Sequence, residues 1–122
     1  MHRKVLDLLR KLYPGFTIGQ DVPLKTSAVG RHTTLYVDLV VKELHVAIEC
    51  HGRQHFEYVQ HFHQNSDGFL AHQARDAAKI EAIKQAGYSL LVVRHDEYES
   101  LTQRRLLKLI QKAIQEATHE YQ

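Results

Sequence analysis

Residues 33–51 read TTLYVDLVVKELHVAIECH, and this stretch decides the fold. Two runs rich in apolar and β-branched residues, 33–41 and 44–51, are separated only by Lys42-Glu43. A connection of two residues between such runs is typical of an antiparallel β-hairpin. We therefore predict that the last residue of the first run pairs with the first residue of the second.

This register makes one face of the hairpin wholly apolar and gives the other face its acidic residues. Asp38 is predicted to lie opposite Ala47, so Asp38 and Glu49 become diagonal neighbours, roughly 7–8 Å apart at the backbone. His51 follows along the same edge, because side chains alternate along a strand. A slip of one residue would move Asp38 to the opposite face from Glu49.

The rest of the chain predicts helices and strands around this hairpin. Periodicity and breaker residues indicate a helix over 2–13, a strand over 16–24, an exposed loop over 25–32, a helix over 69–86 capped by Gly87, a buried strand over 88–94 and a helix over 100–117. The order αβββαβα predicts one α/β domain over residues 1–122, with a central mixed sheet flanked by helices.

Composition excludes several classes of protein. Apolar residues make up 43% and charged residues 25%, as in ordinary globular proteins. No apolar run is long enough to span a bilayer, and basic and acidic residues interrupt the first sixteen positions, so neither a membrane span nor a signal peptide is predicted. Cys50 is the lone cysteine, which excludes an internal disulfide and a zinc site made of several thiolates. We expect a reduced, cytoplasmic protein.

Histidine is the unusual component. The chain has ten histidines and a net charge of only +2, which does not by itself establish nucleic-acid binding. Six of the histidines lie within residues 45–72: His45, His51, His55, His61, His63 and His72. A solvated loop explains His61 and His63 more simply than contacts with phosphates or a cap over the active site do. The signal for a zinc site made of these imidazoles is weak.

Two carboxylates on one half-buried face indicate a cation. Asp38 and Glu49 would repel each other and are costly to desolvate, and a divalent ion between them relieves both effects. Oxygen ligands favour Mg²⁺ or Mn²⁺ over zinc. His51 would then be placed to take a proton from an attacking water, an arrangement suited to phosphodiester hydrolysis. The alternative is that Asp38 and Glu49 are ordinary polar residues on the solvated side of an amphipathic hairpin.

The motif order resembles the PD-(D/E)XK nuclease superfamily. Asp38 is followed after ten residues by Glu49-Cys50-His51, with His in place of the usual Lys. Within that superfamily, ECHGRQHFE (49–57) and ARDAAKIEAIKQAGYSLLVV (74–93) look like the very short patch repair endonucleases and related homing-type nucleases. The resemblance implies a restriction-endonuclease-like fold and a metal-dependent DNA endonuclease.

The resemblance also implies roles for individual residues. Asp38 and Glu49 would bind Mg²⁺ or Mn²⁺ together with the backbone carbonyl of Cys50. His51 would serve the attacking water. Asp76, from the Arg75-Asp76 pair, would be a supporting acid. His55 would lie near the scissile phosphate or the leaving group.

Some features depart from that family or leave alternatives open. The family's first-helix Glu has no counterpart in MHRKVLD, where His2 or Asp7 are the available substitutes, and one cysteine cannot build the repair enzymes' structural zinc site.

DNA is the expected partner, and the loop residues predicted to hold its phosphates are Lys25, Arg31 and Arg53. A homodimer, a separate DNA-recognition subunit, and a catalytically decayed module that binds DNA or a protein remain open.

Overall fold

The structure, a computed structural model, describes residues 2–26, 33–51 and 66–120. Its elements are α1 (His2–Leu12), β1 (Ile18–Thr26), β2 (Thr33–Val41), β3 (Val46–His51), α2 (Ser66–Gln85), β4 (Ser89–Arg94), α3 (His95–Tyr98) and α4 (Gln103–Glu120). None of the helices in these ranges is long and apolar enough to cross a membrane. The predictions for Arg31, Arg53, His55, His61 and His63 lie outside the described residues.

The four strands form one mixed sheet in the order β1-β2-β3-β4. β2 pairs antiparallel with both β1 and β3, and β4 lies parallel to β3. The chain between these two parallel strands contains α2, as a parallel connection requires. The predicted α/β class and mixed sheet are confirmed. The element order differs from αβββαβα by the one-turn helix α3, which follows β4 directly.

Helices cover both faces of the sheet. One face packs against α1 and α4, and its core contains Val5, Leu6, Leu9, Leu39, Val41, Val46, Ile48, Leu91, Val93, Leu101, Leu106, Ile110 and Ala113. The other face packs against α2, around Val37, Val40, Ala47 and Ile83. The apolar face of α4, with Leu106, Ile110 and Ala113, therefore belongs to the core.

The connection between β2 and β3 corrects the predicted register. Val41 pairs with Val46 instead of Leu44, because a short 3₁₀ turn over Lys42–Leu44 is followed by His45 in the left-handed conformation (φ 51°). The connection thus has four residues and not two, and the whole register moves by two. An even shift keeps the side chains of the joined pairs, from Leu39 with Ile48 to Val41 with Val46, on their predicted faces. Asp38 and Glu49 follow the last of these pairs on adjacent strands, instead of being diagonal neighbours.

A second departure occurs where β1 pairs with β2. The ladder joins Gln20 to Leu39 and Val22 to Val37, and Asp21 between them has a left-handed backbone (φ 47°). Val37 was predicted to share a face with Leu39, but it packs with the residues on the α2 side. The faces of β2 thus change at Asp38, the residue that lies between Val37 and Leu39.

Gly87 ends α2 as predicted. Its φ of 89° is in the region that side chains rarely adopt, and its N–H donates to the carbonyl of Lys84 at 3.0 Å. This turn sends the chain directly into β4, which places β4 beside β3.

Candidate active site

The site begins where β2 and β3 stop pairing through their backbones. The last pair that the ladder joins is Leu39 with Ile48, and Asp38 and Glu49 come next on their strands. The N–H of Asp38 donates to Glu49 Oε1 at 3.2 Å, and the N–H of Cys50 donates to Asp38 Oδ2 at 2.8 Å. Each side chain thus replaces a backbone acceptor of the neighbouring strand, which fixes both carboxylates at the end of the ladder.

Glu49 is the most enclosed charged group of the site. It is only 3% exposed, and its Oε2 lies 2.9 Å from Lys79 Nζ and 3.9 Å from His51 Nε2. Burial raises the pKa of the Glu49 carboxyl above its ordinary value; the hydrogen bond from Lys79 opposes this effect, and the charge of Asp38 adds to it. Lys79 therefore favours the ionised form of a carboxyl whose burial favours the neutral one.

Lys79 reaches this position from α2. It shares one helix face with His72 and Asp76 by spacing, and such a face could point either at the acidic pair or at solvent. The contact between Lys79 and Glu49 shows that Lys79 points at the acidic pair. Asp76 is half-buried one turn earlier on the same helix.

Asp38 has a second set of neighbours on its other side. A ring nitrogen of His2, a carboxylate oxygen of Asp21 and a carboxylate oxygen of Asp38 all lie within 4.8 Å of one another. Glu49 is not a member of this group. Asp38 thus links an acidic pair on the α2 side with a His-Asp-Asp group near the start of α1, and both sets contain residues able to hold a divalent cation.

An open cleft of about 360 Å³ adjoins this group. Its lining consists of His2, Arg3, Leu6, Asp7, Arg10, Gln20 and Asp21. Arg3 and Arg10 are exposed, so the cleft brings two cations near the acidic residues. Sequence reasoning did not single out Asp21 or these arginines. A possible signal for Asp21 was a charged residue within a predicted strand, but it becomes meaningful only once β1 is paired with β2.

The other predicted site residues are placed as follows. His51 is buried at the end of β3, 6% exposed, beside Glu49. Lys25 is exposed near the end of β1, paired with Thr34 of β2. Of the two substitutes for a first-helix acid, His2 approaches Asp38 and Asp7 is an exposed residue of the cleft.

Cys50 takes part in the site through its backbone. Its side chain packs against the core on the α1 and α4 side, so its thiol lies on the opposite face from the Glu49 carboxylate. Burial, together with the negative charges of Asp38 and Glu49, raises the pKa of the Cys50 thiol to about 12. The thiol is therefore protonated at neutral pH and unsuited to act as a nucleophile.

We expect this thiol to react slowly with Ellman's reagent. At pH 8 the native protein should react about a thousandfold more slowly than the urea-unfolded chain, because the reactive thiolate is depleted by about that factor when the pKa rises from about 9 to about 12. The native rate should climb about tenfold per pH unit from pH 7 to 10. A plateau below pH 10 would contradict the raised pKa. The lone cysteine makes the signal unambiguous.

Comparison with known proteins adds a distant similarity. No family model matches the chain, and no solved structure matches it. The chain is 29% identical over 68 residues to uncharacterized protein 307L of Invertebrate iridescent virus 6. The match covers 56% of this chain and 34% of the viral protein, so the chain spans about a third of the length of that relative.

Proposed function

We propose that this protein is a metal-dependent DNA endonuclease of the PD-(D/E)XK type, with a restriction-endonuclease-like fold. The observation that carries the proposal is the exchange of hydrogen bonds between β2 and β3 at Asp38, Glu49 and Cys50. This exchange holds two carboxylates side by side at the end of the ladder between β2 and β3. Placing two negative charges together costs free energy, which a function that uses a cation would justify.

Each residue of the pair then has its own part in the proposed reaction. Asp38 binds Mg²⁺ or Mn²⁺, and Glu49 and the Cys50 carbonyl are the further ligands that the resemblance implies. A bound divalent cation supplies positive charge for the phosphate and makes water more acidic. His51, beside Glu49, accepts a proton from the attacking water. Its burial keeps the imidazole in one position.

Lys79 supplies the cation that the motif lacks on β3. The superfamily's pattern has Lys where this chain has His51, and Lys79 brings an ammonium group to the same carboxylate from α2. In the proposed reaction it keeps Glu49 ionised and offsets negative charge that develops on the phosphate. Asp76 and His55 are supporting groups by the resemblance.

DNA would approach from the side of the open cleft. The exposed Arg3 and Arg10 line it, and we propose that they bind backbone phosphates in addition to Lys25, Arg31 and Arg53. These are non-specific contacts, so recognition of a particular site would come from a second copy or a separate DNA-recognition subunit.

Cleavage of DNA tests the proposal directly. Supercoiled plasmid, single-stranded DNA and branched DNA are incubated with the protein and Mg²⁺, Mn²⁺ or EDTA. We expect nicking or linearisation with a metal and none with EDTA, and His51→Ala should slow the reaction by about a hundredfold or more. Failure to cleave all three substrates with either metal would contradict the nuclease function.

A catalytically decayed module that binds DNA is the second candidate. It is favoured by the occupation of both Glu49 oxygens, one by the Asp38 N–H and the other by Lys79. Such a module would retard DNA in a gel, with strong salt dependence, and would leave it intact in the presence of either metal.

A further inference from the structure

We propose that His2, Asp21 and Asp38 form a binding site for a divalent transition-metal ion, with Mn²⁺ preferred over Mg²⁺. One ligand atom from each residue lies within 4.8 Å of the others. Three ligand atoms about 2.1 Å from a shared ion lie about 3.0–3.6 Å from one another, so the three side chains need to approach by no more than about 1–2 Å.

The imidazole of His2 gives independent support. Its Nε2 atom is buried and has no hydrogen-bond partner among the described residues. A buried polar atom without a partner costs stability, so native proteins rarely leave one without a reason. A ring nitrogen of His2 lies beside two carboxylates, and the unpartnered Nε2 leaves the imidazole able to bind an ion.

The three residues come from three elements that the tertiary structure brings together. His2 begins α1, Asp21 interrupts the ladder in β1, and Asp38 lies on β2 between the pairs that flank this interruption. The adjoining cleft leaves the group open to solvent on the α1 side, which provides a route for the ion.

The donor set determines which ion is preferred. One imidazole nitrogen and two carboxylate oxygens suit Mn²⁺, Fe²⁺ or Zn²⁺, whereas Mg²⁺ prefers oxygen ligands alone. The ligands expected from the family resemblance (Asp38, Glu49 and the Cys50 carbonyl) are all oxygen atoms. The two ligand sets share Asp38. The inference rests on the proposed nuclease only for what the bound ion does, because binding of the ion can be measured without DNA.

Calorimetry with Mn²⁺ and with Mg²⁺ tests the site on the full chain with any purification tag removed. The wild-type protein should bind one Mn²⁺ at least tenfold more tightly than Mg²⁺. His2→Ala and Asp21→Asn should each weaken Mn²⁺ binding at least tenfold. The matched control is Asp96→Asn, which removes an exposed carboxylate on α3 outside the group and the cleft and should change the affinity less than twofold.

A spectroscopic measurement identifies the nitrogen ligand. Electron spin-echo modulation from a directly bound imidazole nitrogen should appear in the wild-type complex with Mn²⁺ and disappear in His2→Ala. Circular dichroism checks that each variant is folded. Wild-type affinity in both His2→Ala and Asp21→Asn, or no Mn²⁺ binding by the wild-type protein, would overturn the inference.

These outcomes separate the metal site from the nuclease. Mn²⁺ binding that depends on His2 and Asp21, without cleavage of any DNA, would support the metal site and contradict the proposed function. Metal-dependent cleavage by His2→Ala and Asp21→Asn, with wild-type Mn²⁺ affinity in both variants, would support the nuclease and overturn this site.

Discussion

Replacing Asp38 with Asn should lower the rate of metal-dependent DNA cleavage by at least about a thousandfold. Asp38 is common to both candidate ligand sets, because it exchanges hydrogen bonds with β3 and lies within 4.8 Å of His2 and Asp21 ligand atoms. Loss of its charge therefore weakens cation binding in either set. Single-turnover cleavage of a labelled duplex with saturating protein measures the effect.

Asn is the informative substitution because it preserves the local structure. Its amide oxygen can still accept the N–H of Cys50, which Asp38 Oδ2 accepts at 2.8 Å. The midpoint of thermal unfolding should therefore change little, and a loss of activity can be assigned to the missing charge. Asp96→Asn is the control, because Asp96 is an exposed carboxylate on α3 outside both ligand sets, and its rate should be within twofold of wild type. Cleavage by Asp38→Asn within threefold of the wild-type rate would contradict the proposed role.

Lys79→Met should destabilise the protein by about 3 kcal/mol at pH 8, because it leaves the buried Glu49 carboxylate without its cation. We expect the lower end of the range for broken buried pairs, since the Lys79 side chain is 20% exposed and that of Glu49 only 4%. Adding Glu49→Gln to Lys79→Met should recover most of the loss, because no charge then remains buried. Urea unfolding of the four proteins in this double-mutant cycle measures the coupling.

The loss of stability in Lys79→Met should increase as pH rises. The pKa of Glu49 is already raised by burial, and removing Lys79 takes away the interactions that lower it. A carboxyl whose folded-state pKa lies above its unfolded value costs no stability below the unfolded pKa, and it lowers stability as pH rises through the folded-state value. The difference between wild type and Lys79→Met should therefore be small near pH 4 and reach its full size once pH exceeds the raised pKa.

An exposed ion pair provides the control for this cycle. Lys112 lies 3.9 Å from Glu116 on α4, and both side chains are mostly exposed. Lys112→Met should change stability by less than about 0.5 kcal/mol at any pH in this range. A pH-independent effect of Lys79→Met no larger than that of the control would show that the contact with Glu49 contributes little.

Local sequence signals predicted most of the secondary structure. The β2 bounds of Thr33–Val41 follow from its apolar and β-branched run, and the C-terminal turn of α2 follows from Gly87, because glycine adopts a positive φ without steric cost. The apolar stripe of α4 predicted its buried face. Each of these features depends on residues near one another in the chain.

The hairpin shows where local reasoning was incomplete. The alternation predicted that Asp38 and Glu49 share one face, but the faces of β2 change at Asp38. The turn before β3 also contains two more residues than its composition indicated. Val41 and Val46 begin the ladder because a 3₁₀ turn over Lys42–Leu44 and the left-handed His45 close the connection. The composition of residues 42–45 did not indicate this turn.

By itself, the sequence determined the strands, the main helices and the acidic face of the hairpin, because hydrophobic periodicity and turn residues act over a few positions. The tertiary structure alone decided which groups meet the two carboxylates. Lys79 of α2 contacts Glu49, and His2 of α1 and Asp21 of β1 lie near Asp38. These contacts join residues far apart in the chain. Their geometry depends on how the helices pack and where the ladders of β2 end, and no local pattern encodes either.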